Sequence, residues 1–168
     1  MSGAQVVLVL GDDVSTDVIY PGRYMATVLP AETPQYAFAD LGGFNAKLKA
    51  GAVPAGSVVV AGKNFGCGSS REQAVSSLKG HELVIVAESF ARIFLQNAIN
   101  LGLRLVEAPG ASAAEGDELA LGTAEVVNLT SGTRYPVRSL PAARQSIIDA
   151  GGLIRYTRKR LLERDTPR

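Results

Sequence analysis

Short, wholly apolar runs alternate along the chain with glycine-punctuated turns and with stretches of helical spacing. Residues 5–10 (QVVLVL), 57–61 (SVVVA) and 83–87 (LVIVA) are β-branched and apolar at consecutive positions, the pattern of strands covered on both faces. A shorter run at 103–106 reads as a fourth strand. Between them, 71–78 predicts a helix. So does 89–100, where Phe90, Ile93, Phe94, Asn97, Ala98 and Leu101 recur near helical spacing, with Ser89 as N-cap and Gly102 as stop. Strands interleaved with helices predict an α/β fold.

The segments between these elements read differently. Residues 11–25 (GDDVSTDVIYPGRYM) mix Gly, Asp, Ser, Thr and Pro, whose side chains compete with the backbone for hydrogen bonds, so no regular structure is expected there. Pro30, Pro34, Gly42, Gly43 and Gly51 permit only short helical pieces near 35–39 and 44–49, and about 24–52 reads as a mobile, lid-like connection. Beyond Pro109 the pattern becomes that of a β-rich annex, about 109–140, with strands at 118–121, 125–128 and 135–137. Pro141 opens a last helix, broken at Gly151-Gly152 and resumed to Leu162. Without internal repeats or low-complexity linkers, residues 1–168 read as one domain.

Composition narrows the function classes. With 17 basic against 16 acidic residues and 46% hydrophobic content, the chain lacks the long-range field of a nucleic-acid binder. No apolar run approaches the ~18 residues of a membrane span. A lone Cys67, and a start without a basic leader, suit a reducing cytoplasm. Arg155, Arg158, Lys159, Arg160 and Arg164 crowd the last helix; a solvated helix end accounts for them, with a subunit-docking face as the sharper alternative.

Chemistry concentrates in residues 63–73, KNFGCGSSREQ. Gly66 and Gly68 make room for backbone amides to approach an anion, the following helix offers unpaired N–H groups, and Ser69, Ser70 and Arg71 add two hydroxyls and a guanidinium fork suited to a carboxylate. A purely structural reading stands beside this one: Ser70 and Gln73 have capping-box spacing, and Arg71 can pair with a surface acid. Both the dinucleotide fingerprint and the Walker pattern fail here. Asp12, Asp13 and Asp17 lack the glycine and glutamate of a calcium loop, so no metal site is expected. His81 has no partner at ligand spacing and is expected to be solvated.

Taken together, GDDVSTDVIYPGRY, GKNFGCGSSREQAV and AESFARIFLQNAINLGL, with NLTSG and IIDAGGLIRY further on, resemble the small subunits of the isopropylmalate isomerase and homoaconitase group, themselves similar to the swivelling domain of aconitase. The resemblance implies a swivelling β/β/α domain paired with a large subunit that carries a four-iron, four-sulfur cluster, with no cofactor on this chain. It implies a dehydration and rehydration that isomerises 2-isopropylmalate and 3-isopropylmalate in leucine biosynthesis. By motif, Ser69 is the base, and Ser70, Arg71, Thr16 and Asp17 bind substrate. Tyr24, Met25, Ala26 and Thr27 align with the loop that contacts the γ-substituent. Relatives acting on tricarboxylic acids tend to carry Arg in that loop; Ala26 favours an apolar γ-group. Homoaconitate, citraconate or dimethylmalate-type acids are the alternative substrates, and a non-catalytic carboxylate-binding module is the alternative of another class.

Overall fold

The computed structural model describes residues 3–164. Seven strands form one mixed sheet in the order β4-β3-β2-β1-β5-β6-β7. Strands β1 (Ala4–Val9), β2 (Val58–Ala61), β3 (Val84–Ala87) and β4 (Arg104–Glu107) run parallel, while β5 (Glu118–Leu121), β6 (Glu125–Asn128) and β7 (Arg134–Pro136) continue antiparallel from the free side of β1. The expected annex is therefore an extension of the same sheet. Ala4 and Gln5 of β1 pair with Leu119 and Glu118, because β1 would otherwise leave an open edge.

Burial explains the unbroken apolar runs. Val59, Ala61, Ile85 and Ala87 face one core, beneath the helices, while Val58, Val60, Val84 and Val86 face a second, where Leu119 and Val126 pack. A bulge between Val6 and Leu8 changes the phase of β1, so that these residues, two apart, serve opposite cores.

Helices α3 (Glu72–Gly80) and α4 (Arg92–Leu101) cover the first core with α2 (Gly42–Lys49). Most of the expected lid belongs to this layer: Ala37, Phe38, Phe44 and Leu48 are buried, and the Asn45 amide donates to the Gln35 and Ala37 carbonyls. Residues 28–32 are the exposed remainder. The loop 11–25 is more regular than its composition suggests, since α1 (Thr16–Ile19) and a 3-10 turn at Gly22–Tyr24 occupy it, anchored by buried Ile19 and Tyr20.

At the far end, α5 (Ala142–Asp149) and α6 (Leu153–Arg164) are joined through Gly151-Gly152. Gly152 has φ +120, and a Cβ there would lie 2.8 Å from the Asn100 carbonyl oxygen, so the turn seats directly on the end of α4. The Lys79 ammonium joins the two ends by donating to the Leu101 and Gly151 carbonyls, and burial beside Arg155 lowers its pKa. The basic residues of α6 are exposed. His81 is not free: its Nε2 lies 2.9 Å from the Pro34 carbonyl oxygen, tying the end of α3 to the segment before α2. No helix among the described residues is long and apolar enough to cross a membrane.

Candidate active site

The carboxyl ends of β1, β2 and β3 lead into loops that converge, and β1 is where the sheet changes from parallel to antiparallel neighbours. Open α/β sheets bind ligands at such edges, because successive loops splay apart there. The loop after β1 carries Thr16 and Asp17, that after β2 carries residues 62–71, and that after β3 leads to α4.

A hydrogen-bonded clamp joins the first two loops. The Gly66 amide donates to the Val14 carbonyl and the Thr16 amide to the Cys67 carbonyl, each at 2.8 Å. Thr16, buried, donates its hydroxyl to the Ser69 carbonyl at 2.8 Å. Asp12 accepts from the Lys63 amide and Asp13 from the Asn64 side chain, each at 2.7 Å, so the acidic cluster braces the turn. Among the described residues no group of three or more His, Cys, Asp or Glu side chains could hold a metal ion. The Cys67 thiol points to the Asp13 carbonyl at 3.3 Å.

The two glycines of the turn have different tasks. Gly66 has φ +82, its amide is spent on Val14, and a Cβ there would overlap the Phe94 ring; its hydrogen side chain admits α4, not an anion. Beneath it Phe65 packs edge-on to Phe90 and Phe94, with ring centroids 6.2 and 5.3 Å away. Gly68, at φ +89, lies in open surroundings, with the nearest side-chain atom 3.7 Å from an added Cβ, so it serves the turn's left-handed conformation alone.

Ser69 and Ser70 are exposed at the cleft. The Ser69 hydroxyl has no hydrogen-bond partner among the described residues. The capping-box reading fails: the N-cap of α3 is Arg71, no side chain caps it, and the Ser70 hydroxyl faces the Asn97 amide at 3.5 Å. Arg71 pairs with Asp17, across 54 positions in sequence, and donates to the Tyr20 carbonyl at 3.1 Å. Its side chain is only 12% exposed against 62% for Asp17, so the guanidinium is held from behind while its Nε and Nη2 keep no partner among the described residues. That hydrogen bond, with the charge of Arg71 and the Gly22 amide, keeps the Asp17 carboxyl below its usual range, against opposing desolvation. Of the two residues expected at the substrate, Thr16 donates its hydroxyl to the turn and lines the cleft, and Asp17 meets Arg71 and the Gly22 amide through Oδ1.

Thr16, Ser69, Ser70 and Arg71 line a cleft of about 770 Å³ together with Asn64, Arg92, Ile93, Asn97 and Arg144, and among the described residues no carboxylate lines it. Sequence reading assigned none of these last five a site role, placing Ile93 and Asn97 only by their helical spacing. Arg92 and Ile93 sit in the first turn of α4, which starts later than the expected Ser89 cap: residues 89–91 pair with Phe65 as extended chain, and the Ser89 hydroxyl accepts from the Asn64 amide. Arg144 arrives from α5, which nothing local in the sequence connects to this turn.

Tyr24, Met25, Ala26 and Thr27 do not line the cleft. They adjoin it through Gly22, whose position lies against Arg71 and Asp17. Tyr24 stacks on Tyr36 at 4.1 Å under the Arg23 guanidinium, Arg23 pairs with Asp40, and Ala26 is exposed. The loop therefore stands beside Arg71 with its cation already neutralised.

A family model of the aconitase C-terminal domain matches residues 44–109. The 3-isopropylmalate dehydratase small subunit of Methanosarcina acetivorans is 45% identical over 158 residues, which cover 92% of this chain and 95% of that protein. The isopropylmalate/citramalate isomerase small subunit of Methanocaldococcus jannaschii is 45% identical over 159 residues, covering 91% and 92%. A crystal structure of 3-isopropylmalate dehydratase from the same organism superposes with a TM-score of 0.86 at 38% identity, over 98% of each chain.

Proposed function

The chain belongs to the family of 3-isopropylmalate dehydratase small subunits, and from that premise we propose that it completes the active site of a hydro-lyase interconverting 2-isopropylmalate and 3-isopropylmalate in the cytoplasm, in leucine biosynthesis. One observation carries the assignment of its site: Ser69 presents an uncommitted hydroxyl beside Ser70 and the open edge of Arg71, on a turn held at several points by the loop after β1.

Arg71, with its charge fixed and its orientation set by Asp17 and Tyr20, receives a substrate carboxylate through Nε and Nη2, assisted by the Ser70 hydroxyl. Ser69 takes the proton from one substrate carbon while the hydroxyl leaves the adjacent carbon. On rehydration from the other side it returns a proton, which moves the hydroxyl by one position. A serine anion is costly in water, and Arg71 with the amino end of α3 lowers that cost. The cluster implied by the family supplies Lewis-acid chemistry when bound to the large subunit. This chain's described residues bring no group of three or more His, Cys, Asp or Glu side chains together that could hold it. The exposed, uncharged surface at Ala26, with Arg23 paired to Asp40, favours an isopropyl γ-group over a third carboxylate.

The test is turnover by the chain reconstituted with a cluster-loaded large subunit of the family. We expect 3-isopropylmalate to be the best substrate in a panel including homoaconitate and citraconate, the isolated chain to be inert, and Ser69→Ala to abolish turnover with assembly intact. Retained turnover in Ser69→Ala would remove Ser69 as the base.

A further inference from the structure

We propose that a second cavity, at the seam where the chain after β7 returns to β4, is a binding site for an aliphatic α-amino acid. It measures about 360 Å³, near the lower end of the range of about 300–1,000 Å³ for ligand pockets, and so suits a small molecule. Strand β4 is one edge of the sheet. The Arg138 amide donates to the Glu107 carbonyl at 2.8 Å and the two side chains pair at 3.1 Å, which closes the seam at the carboxyl end of β4 only. Ala108 bonds back to β3 through its amide, so Glu107 and, two positions earlier, Leu105 turn their backbone groups outward. On that side the Leu105 amide and carbonyl have no partner among the described residues.

The lining specifies the ligand. Phe90, Leu95, Leu121, Val137 and Ile148 supply apolar walls, which favour an aliphatic tail. At the amino end of β4 stand its first residue, Arg104, and the last residue of α5, Asp149, brought to one end of the cavity because Gly102 and Gly151 abut. These opposite charges form no ion pair with each other. The Arg104 guanidinium has no partner among the described residues, and Asp149 accepts only from the Gln145 amide, at 2.8 Å through Oδ1. Glu107 is already matched by Arg138, so one cation, one carboxylate and the Leu105 backbone groups remain uncommitted. A zwitterion satisfies them together: its carboxylate meets Arg104 and the Leu105 amide, and its ammonium meets Asp149 and the Leu105 carbonyl. A simple carboxylic acid sets a like charge beside Asp149, and a simple amine does the same at Arg104. The cavity is separate from the cleft at Ser69. Leu95 lines both, but α5 turns Arg144 to the cleft and Gln145, Ile148 and Asp149 to the second cavity. Because Arg104 and Asp149 are exposed, water competes for both contacts and affinity in the millimolar range is expected.

Isothermal titration calorimetry on the full chain tests this, with L-leucine as the probe. Its analogues 4-methylpentanoate, 3-methylbutylamine and glycine lack in turn the ammonium, the carboxylate and the tail. L-Leucine is expected to bind as one molecule per chain, and each analogue about tenfold more weakly or worse. Arg104→Gln and Asp149→Asn should each weaken leucine binding about tenfold, whereas Arg71→Gln, in the cleft, should leave it unchanged. Thermal melting of each variant verifies its fold. Absence of saturable leucine binding at millimolar concentration overturns the proposal. So does 4-methylpentanoate binding as tightly as leucine, or leucine binding undiminished in the folded Arg104→Gln and Asp149→Asn variants. Loss of binding in Arg71→Gln overturns it as well, by placing the ligand in the cleft.

Discussion

Replacing Thr16 with Val separates what the clamp contributes to stability from what it contributes to chemistry. Thr16 is 2% exposed and its hydroxyl donates to the Ser69 carbonyl at 2.8 Å. Val keeps the β-branch and most of the volume but removes the donor. Because Ser69 is exposed, water can reach its carbonyl, so the loss stays near the ordinary net value of a hydrogen bond, about 1 kcal/mol. For a chain of 168 residues that corresponds to a fall in melting temperature of roughly 2–4 °C. The effect on turnover is expected to be far larger: a reacting group displaced by about 1 Å costs on the order of a hundredfold. Calorimetry on the chain and turnover of the assembled enzyme measure the two effects side by side. Thr16→Ser supplies the control, since it restores the donor while giving up a methyl group worth about 0.8 kcal/mol; kcat should recover although stability does not. If Thr16→Val retains kcat within about twofold while the melting point drops, the placement of Ser69 does not depend on this bond and the clamp is structural only.

The other predictions concern the glycines, the ion pair and the neighbouring loop. Gly66→Ala combines a left-handed φ of +82 with a Cβ inside the Phe94 ring, so chemical denaturation should show a loss of about 2–5 kcal/mol, partly relieved in the double variant with Phe94→Leu. Gly68→Ala carries only the conformational part, about 1–2 kcal/mol, and no relief from Phe94→Leu is expected. The folded-state pKa of Asp17 lies below its ordinary 3.8, so its pair with Arg71 contributes stability above about pH 4 that disappears as pH falls through the lowered value. Denaturation midpoints followed below pH 4 should accordingly fall less steeply in Asp17→Asn than in wild type; identical slopes would refute the coupling. Ala26→Arg adds an unpaired cation beside the site, and is expected to raise kcat/KM for homoaconitate relative to 3-isopropylmalate; an unchanged ratio would place γ-group selection elsewhere.

Strand and helix placement was largely decided locally. Runs such as VVVA and LVIVA can be satisfied only by burial on both faces, and the helices between them are bounded by turn residues whose preferences act over a few positions. The motif around Ser69 to Arg71 was likewise evident as a peptide able to hold an anion, and its family was legible from peptide order alone. Tertiary structure decided what those residues are for. Ser70 as a helix cap and Ser70 facing a cleft are equally good local solutions; pairing of residues 89–91 with Phe65 and the approach of α4 select the second. Gly66 invites an anion until Phe94, 28 positions later, is seen to fill its space. Arg71 meets Asp17, and Arg144 reaches the cleft, only because the sheet gathers three loops at one edge and α5 packs on α4. Local preferences decay within a turn or two, so such encounters, set by long-range packing, leave no mark in the neighbouring sequence.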